Sequence, residues 1–199
     1  MYVALACVMR ICIFRRESRD AQMNQEFSCK DGRGVLLRPP SIDDAGGLVE
    51  LNNSVLNEDL DIDKRPFLNI MEATAMLHDL LKRISKGELL ACLALVDSRI
   101  VALATVIKLS GCSSHVGEFG VGVMKGYRGI GVGKLLLNQM IVVSRESGVK
   151  ILLARSFKTN TVMRRLLNVY GFEEVGDLPK IYFSRGQYVN QIVSVLELD

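Results

Sequence analysis

The sequence predicts an α/β fold of the α+β kind, a central mixed β-sheet with helices on both faces. Three observations lead there. Two nearly continuous apolar runs, Leu89 to Val96 and Ile100 to Ile107, are joined by Asp97, Ser98 and Arg99, which reads as a hairpin of strands buried on both faces. Downstream, segments of strand length and of helical period follow in β-α-β-α-β-β order. Between one of these strands and its helix stands Tyr127-Arg128-Gly129-Ile130-Gly131-Val132-Gly133-Lys134, with glycine at alternate positions.

Each element has a local reason. Val35 to Arg38 is a short strand stopped by Pro39-Pro40. Ser41 caps a helix running to about Asn53, with Asp43 and Asp44 favourable in its first turn. Asn69 to Lys86 carries Ile70, Met71, Ala73, Leu77, Leu80, Leu81 and Ile84 at helical spacing, and Gly87 stops it. After the hairpin, strand Glu118 to Met124 enters the glycine loop and helix Val132 to Glu146 leaves it. Strand Val149 to Ala154, helix Thr161 to Tyr170, and strands around Lys180 to Ser184 and Val189 to Glu197 complete the pattern. Residues 34–199 read as one domain without repeats or low-complexity tracts.

Residues 1–33 read as a flexible N-terminal extension. Met1 to Phe14 is apolar, interrupted by Arg10, and followed rather than preceded by Arg15 and Arg16. That order is wrong for a secretory signal, and the run is too short to span a bilayer. Ser18 to Arg33 is polar and glycine-punctuated, as in a linker. Met23 is a second candidate start, so whether residues 1–22 belong to the native protein stays open.

The glycine loop is an anion-binding element. Glycines let successive backbone N–H groups converge on a phosphate, and the helix that follows adds its unpaired N–H groups and dipole. It is no P-loop, because Lys134 is followed by Leu135 and supplies no hydroxyl for magnesium. It is no dinucleotide fingerprint either, since the third glycine comes too early and the next strand is followed by Arg155 instead of an acid.

Composition narrows the function further. Of 199 residues, 49% are apolar and 24% charged, which is ordinary globular usage. A net charge of +3, scattered along the chain, gives no nucleic-acid footprint. Cys7, Cys12, Cys29, Cys92 and Cys112 lack C-x-x-C spacing and read as reduced thiols of a cytoplasmic protein. With two histidines and no clustered cysteines, no metal site is expected.

From Gly34 to Leu198 the chain resembles the GCN5-related N-acetyltransferase (GNAT) superfamily. Arg128, Gly131 and Gly133 match its Gln/Arg-x-x-Gly-x-Gly/Ala loop. The likeness continues through Ser114 to Val123, Asn160, Gly171 to Gly176 and Gly186 to Asn190. The resemblance implies an acyl-CoA N-acyltransferase fold with a splayed CoA-binding strand and acetyl-CoA as cosubstrate. Val121 and Val123 would pair with the pantetheine arm, Arg128, Gly129, Gly131, Gly133 and Lys134 would hold the pyrophosphate, and Asn160 would bond the pantetheine or a local turn. Gly120 and Gly122 inside that strand are consistent with a bulge or a close backbone approach.

Acetyl transfer to an amine needs a base for the amine proton and an acid for the leaving thiolate. Glu118 matches the position of the glutamate that some members use as base, and the resemblance makes it the candidate catalytic base. His115 is its rival. The family's usual tyrosine acid falls at Leu167, so Tyr170, one turn on, is the substitute, or else a packing residue beneath Gly171-Phe172.

Substrate choice is expected to lie with Asn52 to Phe67, an acidic run holding Glu58, Asp59, Asp61 and Asp63, and with Gly176 to Asn190, where Tyr182, Arg185 and Tyr188 could form a wall. Three functions follow in order: an N-acetyltransferase for a small-molecule primary amine, a protein lysine or N-terminal acetyltransferase, and a non-catalytic CoA-binding module. The resemblance also implies association through the late strands as a homodimer. No membrane partner is expected.

Overall fold

The computed structural model describes residues 25–56 and 67–198. Among these, eight strands form one sheet in the order β1-β2-β3-β4-β5-β6-β8-β7. They are β1 (Gln25–Ser28), β2 (Gly34–Arg38), β3 (Leu89–Val96), β4 (Arg99–Lys108), β5 (Val116–Val123), β6 (Ile151–Phe157), β7 (Glu173–Ser184) and β8 (Gln187–Glu197). The pair β5/β6 is parallel and the other neighbours antiparallel, so the sheet is mixed as expected.

Four α-helices cover it: α1 (Ala45–Leu56), α2 (Ile70–Ser85), α3 (Val132–Glu146) and α4 (Thr161–Val169). They divide between the faces. Leu48 and Leu51 of α1 and Leu77 and Leu80 of α2 pack on Leu93, Leu95 and Ile100. Leu136, Leu137 and Met140 of α3 and Leu167 of α4 pack on Val101, Phe119 and Leu152. Every residue of β3 is buried, which is why its sequence shows no alternation. Asp97 and Ser98 turn the β3–β4 hairpin with φ of 50° and 63°, both in the left-handed region that a two-residue hairpin turn requires.

Several boundaries differ from the sequence expectation. Gln25–Ser28, assigned above to the extension, pairs with β2, and Phe27 packs on the core. A four-residue strand with one apolar side chain carries too little alternation to be read. Residues 1–24 of that extension and the acidic run Glu58, Asp59, Asp61 and Asp63 lie outside the described residues.

The helix expected from Ser41 opens as a 3-10 turn, Ile42–Asp44, before α1. Strand β6 starts two residues later than expected, because the Val149 N–H bonds the Ser144 carbonyl at 3.0 Å and closes the end of α3. It then runs on through Arg155 and Ser156 because β8 pairs with it as far as Phe157. Strand β7 begins at Glu173, well before Lys180. It is an exposed edge whose register breaks between Leu178 and Tyr182, around Pro179, so its residues lack strand composition.

Candidate active site

The site begins where β5 and β6 part. Their parallel ladder runs from Val116↔Ile151 to Phe119↔Ala154 and ends. Beyond it β5 stays with β4 as far as Val123, and β6 stays with β8 as far as Phe157. The two strands therefore diverge into a fork. The β4–β5 register is unbroken from Gly117 to Val123, so this strand leaves its neighbour by divergence and not by a bulge.

Backbone alternation decides which groups face the fork. The Met124 N–H bonds Val101 on the β4 side at 2.9 Å. Val121 and Val123 therefore turn their N–H and C=O groups the other way, into the fork. Gly120 and Gly122 lie on the α1/α2 face and leave it bare. A Cβ on Gly122 would meet nothing within 4 Å, and one on Gly120 only the Thr105 hydroxyl at 3.7 Å.

The glycine loop stands at the open end. Gly129 and Gly131 have φ of 76° and 111°, which side chains other than glycine rarely adopt, and a Cβ on either would project into open space. Gly131 is the N-cap of α3, whose first N–H groups, on Val132 and Gly133, the helix leaves unpaired. Gly133 lies inside α3, where an added Cβ would touch Leu166 Cδ2 at 3.6 Å, an ordinary contact.

Arg128 donates from Nε to the Val123 carbonyl at 2.8 Å. It thereby ties the loop to the end of the forked strand. The β1–β2 turn braces the loop from outside, a support the sequence did not suggest. The Lys30 N–H bonds the Ile130 carbonyl at 2.9 Å, and the Arg33 guanidinium lies 4.9 Å from the centre of the Tyr127 ring. The Lys134 side chain is exposed.

These residues fit a phosphate ester carrying an amide-bearing arm. The loop offers converging N–H groups at a helix N-terminus, and the fork offers strand backbone to the amides. Ser156, on β6 beyond its last pairing with β5, carries a buried hydroxyl without a partner among the described residues, as do Ser144 and Ser194. Sequence reasoning passed over Ser156 because a lone serine in a strand carries no pattern.

The remaining expected residues divide. Asn160 caps α4, its Oδ1 accepting the Met163 N–H at 3.1 Å. Leu167 is a core residue at 1% exposure, so no hydroxyl occupies that position. The Tyr170 hydroxyl donates to the Lys134 carbonyl at 2.9 Å, in the first turn of α3, and burial raises its pKa above the ordinary phenol value.

Glu118 lies on the α1/α2 face, where Nη1 of Arg155 donates to both of its carboxylate oxygens at 2.8 and 2.9 Å. Phe157 stacks on Tyr182 with ring centroids 3.8 Å apart, and the Tyr182 hydroxyl accepts from Gln191 Nε2 at 2.6 Å. His115 is exposed before β5 begins, and its carbonyl accepts the Lys150 N–H at 2.8 Å. Tyr188 is exposed and leans on Phe183.

Cys29 and Cys92 are buried and Cys112 is exposed, all as free thiols, and desolvation pushes the pKa of Cys92 up to about 12. Among the described residues no three His, Cys, Asp or Glu side chains gather as a metal site would need. None of the described helices is long and apolar enough to cross a membrane.

Residues 56–172 match the model of the acetyltransferase (GNAT) family. The fold is similar to that of an acetyltransferase of the GNAT family from Streptococcus pneumoniae, at 22% identity and TM-score 0.74, covering 82% of this chain and 99% of that one. It is similar to yncA from Salmonella typhimurium, solved with its cofactor acetyl-CoA, at 19% identity and TM-score 0.73, covering 83% and 94%. It is also similar to ribosomal-protein-S5-alanine acetyltransferase from Vibrio fischeri, at 16% identity and TM-score 0.77, covering 88% and 97%.

Proposed function

The chain belongs to the acetyltransferase (GNAT) family, and from that premise we propose that it transfers the acetyl group of acetyl-CoA to a primary amine of a small molecule. The observation that carries this reading is the fork between β5 and β6 opening beside the glycine loop, with Arg128 bonded across the two. A similar fold, that of yncA, was solved with acetyl-CoA.

Acetyl-CoA supplies an activated acyl carbon and a thiolate leaving group. The chain's residues do the rest. Gly129, Gly131, Gly133, Arg128 and Lys134 hold the pyrophosphate, and the backbone of Val121 and Val123 binds the pantetheine arm, with Asn160 fixing the start of α4 beside it. Glu118 accepts a proton from the substrate ammonium, so that a neutral nitrogen attacks and forms the new C–N bond. To do so it exchanges its contact with Arg155. Tyr170 is the hydroxyl that returns a proton to the leaving sulfur, and to do so it gives up its bond to the Lys134 carbonyl.

Thiol release by the purified chain with acetyl-CoA, read against a panel of amines and a peptide library, tests the proposal. Amine-dependent release with small amines supports it. Release only with peptides supports the second reading, a protein lysine or N-terminal acetyltransferase, which the core position of Leu167 favours by removing the usual tyrosine. Binding of acetyl-CoA without transfer to any amine would leave a non-catalytic CoA-binding module.

A homodimer through the late strands belongs to the same proposal. Strand β7 is the outer edge of the sheet, and Val175, Ile181 and Phe183 on it are 58%, 55% and 67% exposed. Sedimentation at tens of micromolar, roughly the range of weak association, is expected to show a dimer; a monomer throughout would contradict it. The cytoplasmic location is likewise proposed, on the free thiols.

A further inference from the structure

The acceptor side of the fork carries a charge pair that acetyl transfer by itself does not require. Glu118 and Arg155 alternate along their strands with Phe119 and Ala154, which are buried against α3 and α4, so both project on the opposite face of the sheet. Arg155 is the first residue of β6 beyond the last pairing with β5, and its guanidinium reaches back across the mouth of the fork to Glu118. The side chains of Arg155 and Glu118 are 45% and 31% exposed. A pair so open is screened by solvent and adds little to stability. Stability alone does not account for it.

The geometry leaves capacity on both partners. Glu118 is held by a single nitrogen, Nη1. A guanidinium has five N–H donors, and among the described residues none accepts from Nε or Nη2 of Arg155. Gly120 and Gly122 leave the adjoining sheet face without side chains, and the stacked Phe157 and Tyr182 wall it on the β6 side.

We propose that this pair recognises the acceptor, and that the acceptor is an amine with a carboxylate on or next to the amine-bearing carbon: an α-amino acid or a close analogue. Such a zwitterion presents a positive and a negative charge a few ångströms apart, complementary to Glu118 and Arg155. Its carboxylate takes the guanidinium, where planar two-point hydrogen bonding is strongest. Its ammonium takes Glu118. The N–H bond then breaks as an O–H bond forms on Glu118, and the neutral nitrogen forms the C–N bond while the thioester C–S bond breaks. The second proton this nitrogen sheds balances the one the leaving thiolate takes up. Arg155 is thus a specificity determinant, and its substrate releases the base from its resting partner. This inference rests on the transferase reading and on Glu118 as base.

Thiol release by the full chain at saturating acetyl-CoA tests it, with α-amino acids set against their methyl esters and decarboxylated amines. The free acids are expected to exceed the esters in kcat/KM by about 10²-fold or more. Arg155→Met is expected to bring the two within a few-fold of each other by raising KM for the acids, and Arg155→Lys to restore part of the difference. Calorimetric titration of the CoA-loaded protein with an N-acetylated amino acid and its methyl ester reads the same preference without turnover. Esters, decarboxylated amines or peptide N-termini accepted as well as the acids by the parent would overturn the inference and leave the transferase reading intact. Turnover of none of these amines, nor of any in the wider amine panel and peptide library, would overturn the transferase reading, and this inference with it.

Discussion

The Nε of Arg128 lies 2.8 Å from the carbonyl oxygen of Val123, so the residue that opens the glycine loop is bonded to the last residue of the forked strand. Sequence reasoning gave Arg128 a charge role toward phosphate; the structure adds that of a strut. Arg128→Gln keeps an amide donor and is expected to lose less acetyl-CoA affinity than Arg128→Met, which keeps none. Removing the bond is expected to cost about 1 kcal/mol of stability, read from denaturant unfolding of the two variants.

Gly131 and Gly133 separate conformation from space. Gly131→Val forces φ of 111° on a branched side chain and fills the open side of the loop. The strain is expected to cost about 1–3 kcal/mol. Gly133→Ala stays helical with its methyl in ordinary contact with Leu166, and is expected to keep or slightly raise the melting temperature. Thermal unfolding of the pair checks the contrast.

Glu118→Gln retains shape and polarity without the basic form. Its kcat/KM is expected to fall by about 10²- to 10⁴-fold, with acetyl-CoA affinity unchanged. The deficit should narrow at high pH, where more of the substrate amine is already neutral. Parent-like turnover at every pH would shift the base to His115 or to water. Equal losses of binding and turnover would mark Glu118 as structural.

Arg38 and Asp44 anchor the turn before α1, with N···O contacts of 2.7 and 2.5 Å, and the Ser41 N–H adds a third at 2.6 Å. Burial alone would raise the pKa of Asp44, but Arg38 and Ser41 outweigh it, and the folded carboxyl titrates below its ordinary value. Its stabilisation is therefore complete above the unfolded pKa of about 3.9 and is lost as pH falls through the lower folded value. Asp44→Asn is expected to cost about 2–4 kcal/mol at pH 7 and to flatten the acid side of the stability curve. Urea unfolding from pH 3 to 7 measures both.

What could be read from sequence was what is local. The glycine loop, helix α3 and the β3–β4 hairpin each carry their signal within a dozen residues, as spacing, capping or an unbroken apolar run. Glu118 with Arg155 is a contact between residues 37 apart, visible only once β5 and β6 lie side by side. The brace from Lys30 and Arg33 was hidden for the same reason, together with the weak polar signal of β1. Strand β7 escaped because an exposed edge needs no apolar alternation, and Pro179 argues against a strand until the register break makes room for it. The fork itself is a feature of pairing, and pairing is what one sequence does not display.

Titration calorimetry of the full chain with acetyl-CoA, run beside Arg128→Glu and Gly131→Val, tests most directly whether the fork and its loop form the CoA site. One acetyl-CoA bound per chain in the parent, with affinity reduced in both variants by about 10²-fold or more while each remains folded, is the expected result. A parent that does not bind acetyl-CoA, or folded variants that bind it as tightly as the parent, would contradict it.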